Sequence, residues 1–598
     1  MDHLTRWEAW LGRHRRAVSA ALFFVTFLLY ADSLANSFVY DDEYQILQNP
    51  FVTNPHLWTR IFSGSVWSFQ AVAFPSNYYR PLHILAHWLI YRVAGPNPAA
   101  FHLFQVVVYA ATVVIVFAIA RRLLRSEAAA FAGSLLWAVH PLHVEGVAWI
   151  AAVPDTGYGF FYLLGFLMFL RGEDCDSKPL QAHALAALAF LPALFFKEMA
   201  LSFILVIAAY WLTHPPPMRS GTWRSRIPRF LPYIAAVGIY LAVRIVALGY
   251  MTHAGKLWSV SWRVIGAALG LLGQHTKLFF WPTHLNVFRS FDVESSLRSP
   301  WPWLVIAAVV AALWLRKREP VAAFLILWWP LGLLPALDIR NLSFPLLAER
   351  FTYVPSVSLC LLVSWVLFVW LRREIPAARW ERAVVPATAS ALILCAVQTL
   401  RAIPNWRSNE SLANYSMKQS PDAALLHLIQ GFVLQYKEGD LAGARRKYET
   451  AMRLNAQSPR PLSKVTYDSY IGLGTIAQRE GKLDLAVDYL EKAIRVSPYD
   501  SPAYDTLGAI YFPRGDYAKA AEYFSQAVRA NPYDVNGRFY LGTCWLKLGK
   551  YAEAAQQFRT AHEVDPDFFQ AYQAEASALE SSGLSDEAAR VRRMAPRP

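Results

Sequence analysis

The sequence predicts an all-α protein in two parts, a polytopic helical membrane domain of about eleven spans followed by an α-solenoid built on a helical repeat. Three observations predict it. Hydrophobic residues make up 55% of the chain, and the apolar excess lies before residue 402 in blocks long enough to cross a bilayer. Arg and Lys gather in short runs between alternate blocks. From residue 467 the chain repeats itself every 34 residues. One soluble core would not segregate its composition in this way, and the mean hydropathy of +0.25 agrees.

The apolar blocks are 17–36, 101–120, 129–150, 156–170, 182–196, 199–213, 230–249, 301–315, 321–337, 350–371 and 383–402, with a weaker one at 262–281. Trp211, Trp258, Trp281, Trp301 and Trp370 stand at block ends, where amphipathic rings favour the headgroup zone. The first block follows Arg13, Arg15 and Arg16 without a small-residue cleavage pattern before Tyr40, so it reads as a retained span and not a signal peptide. Basic runs at Arg121, Arg122 and Arg125, at Arg219, Arg224, Arg226 and Arg229, at Arg316, Lys317 and Arg318, and at Arg372, Arg373, Arg379 and Arg382 assign those loops and the N-terminus to the cytoplasm. The alternation closes only if 262–281, with Gln274, His275 and Lys277, is re-entrant or interfacial. Segments 37–100 and 250–300 and the C-terminal domain then lie on the non-cytoplasmic side, which is the periplasm or exterior in a bacterium and the ER lumen in a eukaryote. The net charge of +14 is accounted for by the basic loops and argues for membrane orientation, not nucleic acid. The four cysteines have neither disulfide-framework nor zinc-ligand spacing.

In the C-terminal part Gly474, Gly508 and Gly542 recur at the 34-residue interval, as do Pro498, Pro532 and Pro566, and Ala486, Ala520, Ala554 and Ala588. This is the tetratricopeptide period: small residues let paired helices approach, aromatics such as Tyr504, Tyr511 and Phe524 fill the gap to the next unit, and Pro ends the second helix. An imperfect unit with Gly431, Ala444, Tyr448 and Ala451 precedes a longer junction near 456–463, and a truncated unit follows Phe568. The expected domains are a membrane domain at 1–402, a linker at 403–421 and a repeat domain at 422–598. Such repeats form a groove that binds peptides or proteins.

Ionisable residues at the outer ends of the apolar blocks are the candidates for chemistry, because burying them costs free energy that a purely structural segment avoids. Asp41 and Asp42 follow the first span; a solvated loop or a helix cap accounts for them equally well. His140, His143 and Glu145 end the third block, where a hydrogen-bonded helix end is a better reading than a metal site, since no further ligand is fixed. No metal or other cofactor is indicated. Lys197 and Glu198 interrupt two blocks and are adjacent opposite charges that can simply pair with each other. Glu349 and Arg350 open another span, Arg350 either anchoring the helix end or holding a phosphate. Carboxylates at Asp41 and Asp42 with cations at Lys197 and Arg350 on one outer face suit transfer from a lipid-phosphate sugar: a carboxylate takes the acceptor proton and a cation stabilises the departing phosphate.

In order along the chain, Phe38-Val-Tyr-Asp41-Asp42, Tyr79-Arg80-Pro81-Leu82, His140-Pro-Leu-His143-Val-Glu145, Lys197-Glu198, Ala348-Glu349-Arg350 and Asn405-Trp406-Arg407 lead into the repeats. Together they resemble the transmembrane and tetratricopeptide repeat-containing O-mannosyltransferase family across essentially the full chain. The resemblance implies a C-type glycosyltransferase fold, a polyprenyl- or dolichyl-phosphate hexose donor, transfer to Ser or Thr of a protein held by the repeats, and a catalytic acid at Asp41 or Asp42. It favours Asp42 as the base with Asp41 orienting it. One departure is that relatives often read Gly-Arg-x-Asp where this chain has Ala152-Val153-Pro154-Asp155, which leaves mannose as the donor sugar less firmly implied. The alternative from another class is a non-catalytic, membrane-anchored scaffold whose repeats recruit partners. A third, ligation of lipid-linked glycans, leaves the repeats less to do.

Overall fold

The computed structural model describes residues 3–70, 76–175, 177–214, 226–249, 261–289, 291–338, 346–458 and 461–596. Arg219, Arg224 and Trp258, assigned above to a basic loop and to the interface, lie outside the described residues. Every regular element among the described residues is helical. The chain forms two compact units: residues 1–42, 77–86 and 97–412 make the first, and residues 43–76, 87–96 and 413–598 the second.

Among the described residues of the first unit, eight helices are long and apolar enough to cross a membrane, from Arg15–Ala35 to Ala377–Trp406, and three shorter apolar helices cover Glu127–Val139, Glu198–Thr213 and Trp301–Leu315. They fall in the eleven apolar blocks read from the sequence. The weak block at 262–281 is one continuous helix, Trp262–Phe280, and not a re-entrant hairpin. Helix Pro98–Leu124 packs against Arg15–Tyr30, Glu127–Val139 and Val153–Glu173, and the last of these pairs with Pro179–Phe196. At that pairing Gly165 is required, since a Cβ there would come within 2.8 Å of the Phe190 Cβ.

Several helices stop short of the bilayer length their blocks suggest, each at an identifiable break. The block at 129–150 is helical only to Val139, because His140 is extended ahead of Pro141 and the chain continues as short turns through Ala152. Lys197 (φ −159°, ψ 135°) separates Pro179–Phe196 from the 3₁₀ turn Glu198–Ser202. Ala348 is likewise extended before the turn Glu349–Thr352. Irregular backbone at such depth is tolerated only where protein buries it, and Val144, Ala200 and Ala348 are at most 2% exposed.

The second unit contains five antiparallel helix pairs, from Ala424–Phe432 with Leu441–Gln457 to Phe569–Ser581 with Ser585–Met594. The unit after Phe568 therefore has both helices, the second with an exposed basic face that the apolar pattern underweights. A Cβ at Gly508 or Gly542 would lie within 2.8 Å of the Phe524 or Phe558 ring, which explains the recurrent glycine. Gly439 and a second periodic set, Gly481, Gly515, Gly549 and Gly583, turn the five pairs at φ +74° to +83°. The stretch 403–421 is largely helical, through Ile403–Trp406 and Asn409–Gln419.

Segment 43–76 is part of this second unit. Phe51, 3% exposed, sets its ring edge-on to Tyr533 at 5.0 Å. The Asn54 amide donates to the carbonyls of Glu563 and Val564, both at 2.8 Å, satisfying acceptors that the end of helix Tyr551–Val564 leaves open. Asn54→Ala removes both bonds at a cost of about 1–2 kcal/mol. Hydrogen exchange should then quicken across 43–70 while the repeat at 467–500 is unchanged; unaltered exchange in 43–70 would refute the anchoring role.

Candidate active site

The acidic pair separates into two environments. Asp42 is fully buried, and its two oxygens accept from the backbone amides of Val39 (2.9 Å) and Ala151 (2.6 Å). It thereby fastens the end of the first span to the turn that opens helix Val153–Glu173. Asp41 is half-buried. Tyr40, just before it, has φ +55°, a region costly for a residue with a side chain. Its amide donates to Asn409 Oδ1 (2.7 Å), and its ring lies against Trp149 (5.9 Å) and Phe288 (5.6 Å).

Four ion pairs stand at the broken helix ends. Lys197 Nζ donates to Asp155 Oδ1 at 2.5 Å, both side chains being 3% exposed. Arg80 grips Glu198 with Nε (2.9 Å to Oε2) and with Nη2. Glu145, fully enclosed, accepts from the Arg350 amide (3.0 Å) and pairs with its guanidinium. Arg289 Nη2 lies 2.9 Å from Glu349 Oε1, which also accepts from the Asn286 amide at 2.6 Å. Adjacent Lys197 and Glu198 do not pair with each other: the extended backbone at Lys197 turns successive side chains apart, toward Asp155 and Arg80. Burial pulls the Lys197 ammonium below the ordinary lysine range, and Asp155 opposes that pull.

These pairs converge. Asp155 interacts electrostatically with Lys197, Arg350 and Arg80 together. The Arg350 guanidinium lies 5.2 Å from the Trp149 ring, which also meets Tyr40, so Arg350 and the residue before Asp41 share one aromatic ring. Of the expected residues, the structure brings Arg80, Glu145, Lys197, Glu198, Glu349 and Arg350 into this cluster. His140 and His143 are packing residues beside it. His140 stacks on Phe279 (4.7 Å) with its ring nitrogens toward the Phe279 carbonyl and the Leu142 amide. His143 bridges the Tyr109 hydroxyl (3.0 Å) and the Ser356 hydroxyl (2.9 Å). Among the described residues no three His, Cys, Asp or Glu side chains gather as a metal site.

Asp155 and Arg289 were not singled out from the sequence. For Asp155 the available signal was a carboxylate in the first turn of an otherwise apolar span; for Arg289 there was none beyond its place outside the apolar blocks.

Residues 79–250 match the family model described as dolichyl-phosphate-mannose-protein mannosyltransferase, and residues 467–500, 506–568 and 546–596 match tetratricopeptide repeat models. A protein O-mannosyl-transferase of Caenorhabditis elegans is 24% identical over 451 residues, covering 71% of this chain and 61% of its own length. One from Drosophila melanogaster is 36% identical over 192 residues, 31% of this chain and 20% of the relative. The chain thus spans about three fifths or less of the length of these relatives. A solved structure of YrrB, titled a TPR protein with an unusual peptide-binding site, is 21% identical over 31% of this chain and 90% of its own, with a TM-score of 0.25.

Lys197→Met leaves Asp155 buried without its partner, a loss of about 3–5 kcal/mol. The double variant Lys197→Met with Asp155→Leu should recover most of it. Thermal unfolding of the purified protein measures both, and equal loss in single and double variants would contradict the pairing.

Proposed function

We propose that this chain is an integral-membrane glycosyltransferase that moves a hexose, mannose by analogy with its relatives, from a polyprenyl- or dolichyl-phosphate donor to Ser or Thr of a protein held by the repeats. The observation that supports the proposal is the Trp149 ring, which meets both Tyr40, the neighbour of the half-buried Asp41, and Arg350, one of three cations that act on Asp155. Asp41 acts as general base: as the acceptor oxygen bonds to the anomeric carbon, its proton passes to the Asp41 carboxylate and the bond from that carbon to the phosphate oxygen breaks. The charge left on the lipid phosphate is met by Arg80, Lys197 and Arg350. This assigns the base to Asp41, because both oxygens of Asp42 already hold backbone amides. Glu145, Asp155 and Glu198 hold the three cations in place, which lowers the reorganisation needed when the donor arrives. The N-terminus is cytoplasmic, and the cluster and the repeats face the opposite side.

With labelled polyprenyl-phosphate hexose and Ser- or Thr-containing peptides, Asp41→Asn should lower transfer by about two to four decades with donor binding retained. Asp42→Asn should lower the unfolding temperature as well, since it weakens acceptance from two amides. Near-normal transfer by Asp41→Asn would move the assignment, and wild-type protein that transfers nothing would favour a scaffold. For the orientation, a single cysteine introduced in the repeats of a variant lacking the four native cysteines should react with an impermeant maleimide in intact cells or sealed microsomes oriented accordingly. Labelling only after permeabilisation would reverse the assignment.

A further inference from the structure

The segment 281–289, which follows helix Trp262–Phe280, contributes a residue that the scheme above does not use. His284 has φ +55°, one of three non-glycine residues with positive φ among the described residues, and Tyr40 beside Asp41 is another. Asn286 Oδ1 accepts from the Phe288 amide (3.0 Å), Phe288 is 1% exposed, and its ring meets Tyr40. Arg289 is therefore fixed beside the acidic loop. Its Nη2 is engaged by Glu349 and by the His284 carbonyl, whereas Nη1 is shut away from solvent and has no partner among the described residues. A buried donor left in that condition is destabilising unless a ligand completes it.

The local charge says which ligand. Arg80, Lys197 and Arg350 all act on Asp155, and the two guanidiniums, each with its own carboxylate partner, have N–H donors beyond that pair to turn to a phosphate. Arg289 lies among carboxylates instead: Glu349 interacts with Arg289, with Glu145 and with Arg350, and burial pushes the Glu349 carboxyl up to about 7. A directional N–H next to a carboxylate matches the donor and acceptor character of vicinal hydroxyls.

We infer that Arg289, held by Glu349, forms a sugar subsite that binds hydroxyls of the donor hexose through the free Nη1. This rests on the transferase reading, and the test separates the two. Binding of polyprenyl-phosphate hexose and of polyprenyl phosphate without sugar is measured directly on full-length wild type, Arg289→Gln and Arg350→Gln. Arg289→Gln should weaken the sugar-bearing lipid about tenfold or more and leave the sugar-free lipid within about twofold, while Arg350→Gln weakens both. Donors lacking single hydroxyls, tested on wild type, require no variant to fold: one of them should bind about tenfold less well. Equal loss of both lipids in a folded Arg289→Gln protein overturns the subsite, as does unchanged binding of the sugar-bearing lipid, and so does wild type that binds every deoxy donor alike. Wild type that binds neither lipid overturns the transferase reading, and the subsite falls with it.

Discussion

The pair between Lys197 and Asp155 is the constraint around which the membrane unit is arranged. An ammonium enclosed to this degree persists only with a carboxylate against it, and the backbone break that delivers it must itself be walled in by protein. The wall is the packing of Pro179–Phe196 against Val153–Glu173, which Gly165 allows to be close. The neighbouring pairs follow from the same requirement. Where a helix stops at Val139 or Phe196, or a turn starts after Ala348, polar backbone is left open and a charge is delivered, and each charge is answered from a different element: Glu145 by Arg350, Glu198 by Arg80, Glu349 by Arg289. The ion pairs are in this sense cross-links between broken segments, and the breaks are what free those segments from a simple bundle.

The two neighbouring aspartates divide their work for a conformational reason. Positive φ at Tyr40 turns the chain sharply, and the amides of Val39 and Ala151 then converge on Asp42. Amides that donate to both oxygens fix the Asp42 side chain in place. From Glu43 onward the same loop belongs to the repeat-containing unit, where Phe51 and Asn54 hold it.

Much of this was legible in the sequence, and what was not has a physical reason. Span positions follow from transfer of apolar length out of water, a property of consecutive residues, and the repeats follow from a period that covalent sequence records directly. Local breaks were less visible: His140 ahead of Pro141 carried a signal, but Lys197 and Ala348 become extended through tertiary contacts. The site residues Arg80, Glu145, Lys197, Glu198, Glu349 and Arg350 stood out because charge next to apolar blocks is rare. Their partners did not stand out, since pairing depends on which helix ends meet. Lys197 and Glu198, adjacent and opposite in charge, suggested each other, and it took the backbone dihedral at Lys197 to send them to Asp155 and Arg80.

Compensated cations raise the question of how the cluster holds an anion at all. The answer lies in numbers and access. Asp155, Glu145 and Glu198 together match the three cations in charge, but Glu145 and Glu198 each occupy only part of a guanidinium that has five N–H donors. The side chains of Arg80 and Arg350 retain 15% exposure while Lys197 has 3%. On the proposed reading the two guanidiniums are the groups that would touch a phosphate, and Lys197 would act from behind them through a low-dielectric interior in which its charge is little screened. Replacing either arginine with lysine would keep the charge but lose the fork that binds carboxylate and phosphate at once, which explains why the residues at these two positions are not interchangeable with the ammonium behind them.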